Sequence, residues 1–158
     1  MDKFLDTPAL ESLVDLMRTN KQSIVFTNGC FDLLHPGHID YLQKAKTLGD
    51  VLIVALNSDD SVRQIKGESR PVNSLNDRMA MLAALECVDF VTSFQEDTPY
   101  NLIDAIKPDI LVKGGDYTKD EIVGADIVED NGGEVKILDF LPGYSSSDLI
   151  KRIQKLNE

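Results

Sequence analysis

His35 and His38 are the only two histidines in the chain, and they stand three positions apart in His35-Pro36-Gly37-His38. That spacing puts both imidazoles on one side of a helix that starts there. Pro36 suits a first helical turn, where its missing N–H is no loss. A helix start offers free amides and a partial positive charge, and both suit a phosphate. Just upstream, Asn28-Gly29 follows a short apolar run, and Gly29 lets backbone approach a ligand closely. Together these features favour phosphate chemistry over a mere cap and a packed ring. A zinc site would need third and fourth ligands, and the neighbouring sequence supplies no such set. Cys30 has no assigned general base and reads as a small packed residue beside the turn rather than a nucleophile. Asp32 suits either a contact to the substrate or to metal-bound phosphates, or a turn-forming role. At a reference pKa of about 6.5, either protonation state of the histidines is accessible, and a phosphate would favour the cation.

These groups need a scaffold, and the apolar pattern describes one. Short β-rich runs recur at Ser23 to Thr27, Val51 to Leu56, Phe90-Val91, Ile110 to Val112 and Val135 to Leu138. Continuous apolar runs of this kind mark parallel strands buried on both faces. Helical patterns lie between them. Leu10, Leu13, Val14 and Met17 line one face of an N-terminal helix over about 8–19. Ile39, Leu42 and Ala45 follow Pro36, Leu75 to Leu85 forms another helix, and Leu149, Ile150, Ile153 and Leu156 form the last. Ser145 to Ser147 can cap that last helix. The alternation predicts an α/β, Rossmann-like parallel sheet of about five strands with helices on both faces, in one domain over 1–158. Ligands in such sheets collect at the carboxyl ends of the strands, where Asn28-Gly29 and Lys113-Gly114-Gly115-Asp116 both fall. Lys66 to Asn73 mixes Gly, Ser, Pro and charge and reads as a mobile loop.

Composition narrows the function classes. The chain has 158 residues, 42% of them hydrophobic and 27% charged, which fits a globular domain rather than a disordered one. A net charge of −11 opposes binding to a nucleic acid backbone, although one basic pocket can still hold a nucleotide. The longest apolar run, Val51 to Leu56, is too short to span a bilayer. The first residues lack the pattern of a signal peptide. Two cysteines without metal-ligand spacing suit a reduced compartment, so the expected location is the cytoplasm.

The His-x-Gly-His turn after a first strand resembles the signature of the HxGH nucleotidyltransferases. From Phe26 to Gly49 the chain is most similar to the heptose-1-phosphate adenylyltransferase branch, which makes ADP-heptose for lipopolysaccharide. Three other segments carry the same likeness: Leu56 to Asp59 with Val62, Arg70-Pro71-Val72-Asn73 through Asp77-Arg78 to Asp89, and Lys107-Pro108-Asp109 through Lys113 to Tyr117. The resemblance runs from about residue 10 to the end. It implies that His35 and His38 contact the nucleotide phosphates and stabilise a pentacoordinate transition state, and that Lys66 reaches the triphosphate from a mobile loop. It matches Arg78 to a phosphate-binding arginine and borders the nucleotide with Asn28, Gly29, Cys30 (often Thr in relatives) and Phe31. Gly114, Gly115 and Asp116 would meet base or ribose, and Ser145 and Ser146 would contact the nucleotide. Arg70 and Asp32 are candidates for the acceptor, while Arg70 and Lys46 suit a surface role equally well. The implied substrates are ATP and a sugar phosphate, with Mg²⁺ bridging the phosphates and no metal ligand in the protein. Homo-oligomers are usual in the family, which often fuses this domain to a sugar kinase. The chain therefore predicts a separate kinase as source of the acceptor. Cytidylyltransferase relatives carry an arginine just before the final serines. Leu141-Pro142-Gly143-Tyr144 stands there instead, which weighs against CTP with an alcohol phosphate such as glycerol 3-phosphate. Intact histidines and Lys66 weigh against a non-catalytic nucleotide-binding module.

Overall fold

Five parallel strands form one sheet in the order β3-β2-β1-β4-β5. They are β1 (Ile24–Gly29), β2 (Val51–Asn57), β3 (Phe90–Phe94), β4 (Ile110–Gly114) and β5 (Glu134–Leu138). The computed structural model describes residues 2–115 and 117–156. Among these residues, seven α-helices connect or flank the strands: α1 (Thr7–Thr19), α2 (Pro36–Lys46), α3 (Asp59–Lys66), α4 (Leu75–Ala83), α5 (Tyr100–Ile106), α6 (Ala125–Asp130) and α7 (Ser146–Lys155). The expected sheet and its helical cover are both present.

Period-two alternation divides the core. Ile24, Phe26, Val51, Ile53 and Ala55 point to one face, where α1, α5 and α6 cover them. Val25, Leu52, Val54 and Leu56 point to the other, under α2 and α4. Every residue of β2 is buried, which is why it reads as an unbroken apolar run. Fully burying one such side chain is worth about 1.5–3 kcal/mol.

Local chemistry sets the helix starts. Asp6 caps α1 by accepting from the Ala9 amide. Ser58, Ser74 and Ser145 do the same for α3, α4 and α7. The sequence pattern shows neither α3 nor α5 nor α6, and the strands run one to three residues beyond the expected ends at β1, β2, β3 and β4. The strand order reverses direction between β1 and β4. That switch point opens a crevice at the carboxyl ends of the strands. Among the described residues, no helix is long and apolar enough to cross a membrane.

Candidate active site

The chain leaves β1 through a tight turn. Phe31 adopts φ +47, a left-handed conformation unusual for a bulky residue. Its buried ring lies under Gly29, where a Cβ would meet it at 3.0 Å. The same ring packs against His38 with centroids 5.4 Å apart. His35 takes the N-cap position of α2 in extended backbone, yet its side chain makes no capping hydrogen bond. It folds back over Gly37, where a Cβ would lie 2.9 Å from its ring. The two imidazoles stack with centroids 3.8 Å apart, and Tyr144 stacks beyond His35 at 6.2 Å. Among the described residues, neither buried Nδ1 atom has a hydrogen-bond partner. Burial holds the His35 pKa below its ordinary value. Burial and the neighbouring His35 push His38 down to about 4. The ligand-free pair is therefore neutral at neutral pH, and a cation requires an anion to bring the proton back. This narrows the expectation that either state is accessible.

A second cluster lies on the β2 side of the turn. Asp32, with its side chain fully buried, accepts from Arg70 Nε at 2.6 Å and from the amides of Val72 and Asn73 at 2.8–2.9 Å. The Asn73 side chain donates to the Asp32 carbonyl at 2.6 Å. Burial alone would raise the Asp32 pKa, but the Asn73 and Val72 amides and Arg70 outweigh it and hold the carboxyl below its ordinary value. Arg78 is fully buried and donates to the carbonyls of Asn73, Cys30 and Asn57 and to the Asp59 carboxylate. Its guanidinium ties the ends of β1 and β2 to the segment before α4. Four of the five N–H groups of Arg78 meet protein acceptors and it does not line the cleft, which weighs against the expected contact with phosphate. Asp32 and Arg70 border the cleft, but each holds the other, which favours the structural side of the alternatives open for them. Lys46 is likewise structural. It pairs with Asp89 at 2.6 Å, away from the cleft.

The opposite wall comes from the end of β4 and the start of α7. Half-buried Lys113 lies 3.4 Å from Asn28 Oδ1 and 5.9 Å from the Tyr117 ring centroid. A Cβ on Gly114 or Gly115 would fall within 2.6 Å of the Phe140 ring, which lies across both glycines. Phe140 therefore lies where the expected nucleoside would meet the double glycine. Asp116 lies outside the described residues. Ser145 caps α7, and the Ser146 hydroxyl donates to the Leu33 carbonyl at 3.1 Å. Thr27 donates its one hydroxyl proton to the Val112 carbonyl, so Tyr41 must donate to Thr27 across 2.7 Å. Lys66 ends α3 instead of lying in a loop. The chain breaks only at Gly67, whose φ of +101 favours glycine.

These walls enclose a cleft of about 600 Å³. Every expected site residue that the structure describes lines it, except Arg78 and Gly115. Burial raises the Cys30 thiol, offset only partly by Lys66, Arg78 and Arg70, so it stays protonated and unreactive. The reading of Cys30 as a packed residue fits this. A second hollow of about 740 Å³ beside α1 and α5 carries Glu11 and Glu96 and no cation, so it does not suit phosphates. Tyr41, Lys113, Phe140 and Tyr144 line the cleft, and sequence reasoning gives none of them a role there, although Lys113 opens the Lys113-Gly114-Gly115-Asp116 motif. Tyr41 follows His38 at helical spacing, and Lys113 is a cation ending an apolar strand. Those two signals were available. Phe140 and Tyr144 lie in an irregular segment with no period to reveal them. Among the described residues, no three His, Cys, Asp or Glu side chains converge to hold a metal ion.

Comparison with known proteins places this geometry. Curated relatives called bifunctional protein HldE match from Histophilus somni, at 54% identity over 154 residues, and from Helicobacter hepaticus, at 57% over 146. These matches cover 98% and 92% of the chain but 32% and 30% of the relatives, so the chain spans about a third of their length. A lipopolysaccharide core biosynthesis protein from Thermoplasma volcanium superposes with a TM-score of 0.61 at 31% identity, over 76% of this chain and 97% of that one. Pantoate-β-alanine ligase from Francisella tularensis, complexed with β-γ ATP and β-alanine, gives a TM-score of 0.66 over 98% of this chain and 77% of that one. At 18% identity it speaks to the fold alone. A family model described as cytidylyltransferase-like matches residues 26–152, from the middle of β1 into α7, and so spans both walls of the cleft. With that match across four-fifths of its length, the chain belongs to the cytidylyltransferase-like family.

Proposed function

We propose that the chain is an adenylyltransferase that moves AMP from ATP onto D-glycero-β-D-manno-heptose 1-phosphate, giving ADP-heptose and pyrophosphate. The observation that carries this reading is the stacked, unpartnered His35–His38 pair between two helix starts, α2 and α7, that border one cleft. Two helix N-termini supply positive potential, and that of α2 has no acidic residue in its first turn.

The chemistry needs little from a base, since a sugar 1-phosphate is already anionic at neutral pH. One of its oxygens attacks the α-phosphorus and forms the new O–P bond. The bond from the α-phosphorus to the α,β-bridging oxygen breaks, and its electron pair leaves with pyrophosphate. The protein must hold two anions in line and stabilise the charge that spreads over the α-phosphoryl oxygens. Neutral His35 and His38 can each donate one N–H to those oxygens and become stronger donors on protonation. Lys66 faces the same space from the end of α3, exposed and able to reach a triphosphate. The first turn of α7, with Ser145 and Ser146, borders the nucleotide side.

Magnesium is proposed only as the counter-ion of the triphosphate, where it would lower phosphate charge. The described residues form no cage for it, since both Asp32 oxygens are taken by Arg70, Val72 and Asn73. No step above runs through it. The choice of ATP over CTP rests on Leu141-Pro142-Gly143-Tyr144, which lacks the arginine of cytidylyltransferase relatives.

The test crosses ATP and CTP with heptose 1-phosphate and glycerol 3-phosphate and scores pyrophosphate release. Release with ATP and heptose 1-phosphate alone supports the reading. Release with CTP and glycerol 3-phosphate instead would reject it.

A further inference from the structure

The cations around the cleft fall into two kinds. Arg70 and Arg78 are paired with Asp32 and Asp59 at 2.6 and 2.8 Å. The histidines are neutral when the site is empty. Among the described residues, Lys66 and Lys113 are the cleft cations that make no ion pair. They differ in burial. Lys66 is exposed at the end of a helix, whereas Lys113 is half-buried inside the sheet end.

The position of Lys113 is specific. It stands on β4, next to β1 in the sheet, at the point where strand order reverses. Its ammonium approaches Asn28 at the end of β1, and its neighbour Gly114 lines the same cleft. A lysine so placed, met among the described residues by a long contact to a neutral amide and by a tyrosine ring, is poorly solvated, and burial lowers its pKa. Leaving a cation there is unfavourable for the free protein. An anion between β1, β4 and the start of α2 would offset that.

We infer that Lys113 binds the α-phosphoryl group transferred in the reaction, holding from the β4 side the oxygens that His35 and His38 meet from the α2 side. This rests on the adenylyltransferase reading given above. No bond to Lys113 forms or breaks. The ammonium stays protonated and meets charge that grows in the transition state.

Lys113→Met and Lys113→Arg in the full chain test it, with ATP and heptose 1-phosphate varied separately. Lys113→Met is expected to lower kcat by roughly 10²–10³-fold, the usual effect of losing one such donor. The KM for heptose 1-phosphate should move by less than about threefold, since the acceptor's own contacts remain. Lys113→Arg, which keeps the charge, should recover at least about tenfold of the loss. Thermal unfolding provides the structural control. If Lys113 serves a ligand, Lys113→Met unfolds at or above the wild-type temperature, because an unpaired buried charge is gone. A kcat within about threefold of wild type overturns the inference. So does a loss confined to the heptose 1-phosphate KM, which would place Lys113 on the acceptor phosphate. A lower unfolding temperature with the activity loss would make it a structural tie to Asn28 and also overturn it.

A wild-type protein that releases no pyrophosphate with any pair would end the adenylyltransferase reading instead. Calorimetric titration with ATP still decides on Lys113 in that case. A roughly tenfold weaker ATP affinity in Lys113→Met supports the phosphate contact, and an unchanged affinity overturns it.

Discussion

The two sides of the turn after β1 carry similar residues and use them differently. On the β2 side, the polar groups of Asp32, Arg70, Asn73, Arg78 and Asp59 are tied to one another or to nearby backbone. On the α2 and β4 side, among the described residues, His35 and His38 leave buried ring nitrogens without partners, and Lys113 has no ion pair, only a long contact to Asn28 and the Tyr117 ring at 5.9 Å. The satisfied cluster behaves as a brace, because buried charge that is fully paired resists movement. The unsatisfied cluster behaves as a receptor, because unmet donors gain most from a ligand that meets them. Residue type does not separate the two. Saturation does.

The largest effect that separates them should come from the brace. Arg78→Met leaves Asp59 and three carbonyls without their donor, and breaking a buried pair in this way should cost about 3–5 kcal/mol of stability. Chemical denaturation measures this, and a loss below about 1 kcal/mol would show that Arg78 is not the brace. The receptor side should respond in rate instead. His38→Asn should lower kcat by roughly 10²–10³-fold and change stability by less than about 1 kcal/mol. Steady-state kinetics beside a melting curve reads both numbers, and equal loss in each would erase the distinction.

Asp32→Asn should lie between these extremes. It leaves Arg70 unpaired and turns an acceptor into a donor facing two amides. The expected loss is about 1–3 kcal/mol, with kcat reduced because Gly67 to Asn73 loosens. Acid should act through His38. Its folded pKa of about 4 lies below the unfolded value of about 6.5, so the fold binds fewer protons than the unfolded chain between those limits. Stability is therefore full above about pH 6.5 and falls as pH drops toward 4. Denaturant midpoints across that window should slope less in His38→Asn, and an unchanged slope would remove His38 as the cause. The smallest effect belongs to Lys46→Met. Its half-exposed pair with Asp89 should be worth no more than about 1 kcal/mol, with turnover unchanged.

The sheet was legible because β1 and β2 are buried on both faces and leave unbroken apolar runs. The helices α3, α5 and α6 were not, since eight, seven and six residues hold too few turns to show an apolar stripe. The loss of α3 from the sequence pattern is also why Lys66 reads as a loop residue. His35 and His38 were legible because their spacing, Pro36 and Gly37 all point to one helix start. Arg78 and Lys113 were not, for a common reason. Sequence shows that a residue carries charge but not whether a partner meets it, and burial with partners made one a strut while burial without a described ion-pair partner left the other open. Phe140 was hidden differently. Nothing in an irregular segment indicates that a ring folds across Gly114 and Gly115.

The most direct test follows the α-phosphorus. ATP labelled at that atom is incubated with heptose 1-phosphate and either the wild-type chain or the His35→Ala/His38→Ala double variant. The wild-type chain should move the label into ADP-heptose with one pyrophosphate released per transfer, and the folded double variant should leave it in ATP. Label that stays in ATP with the wild-type chain, or that moves equally well without the two histidines, would contradict the account.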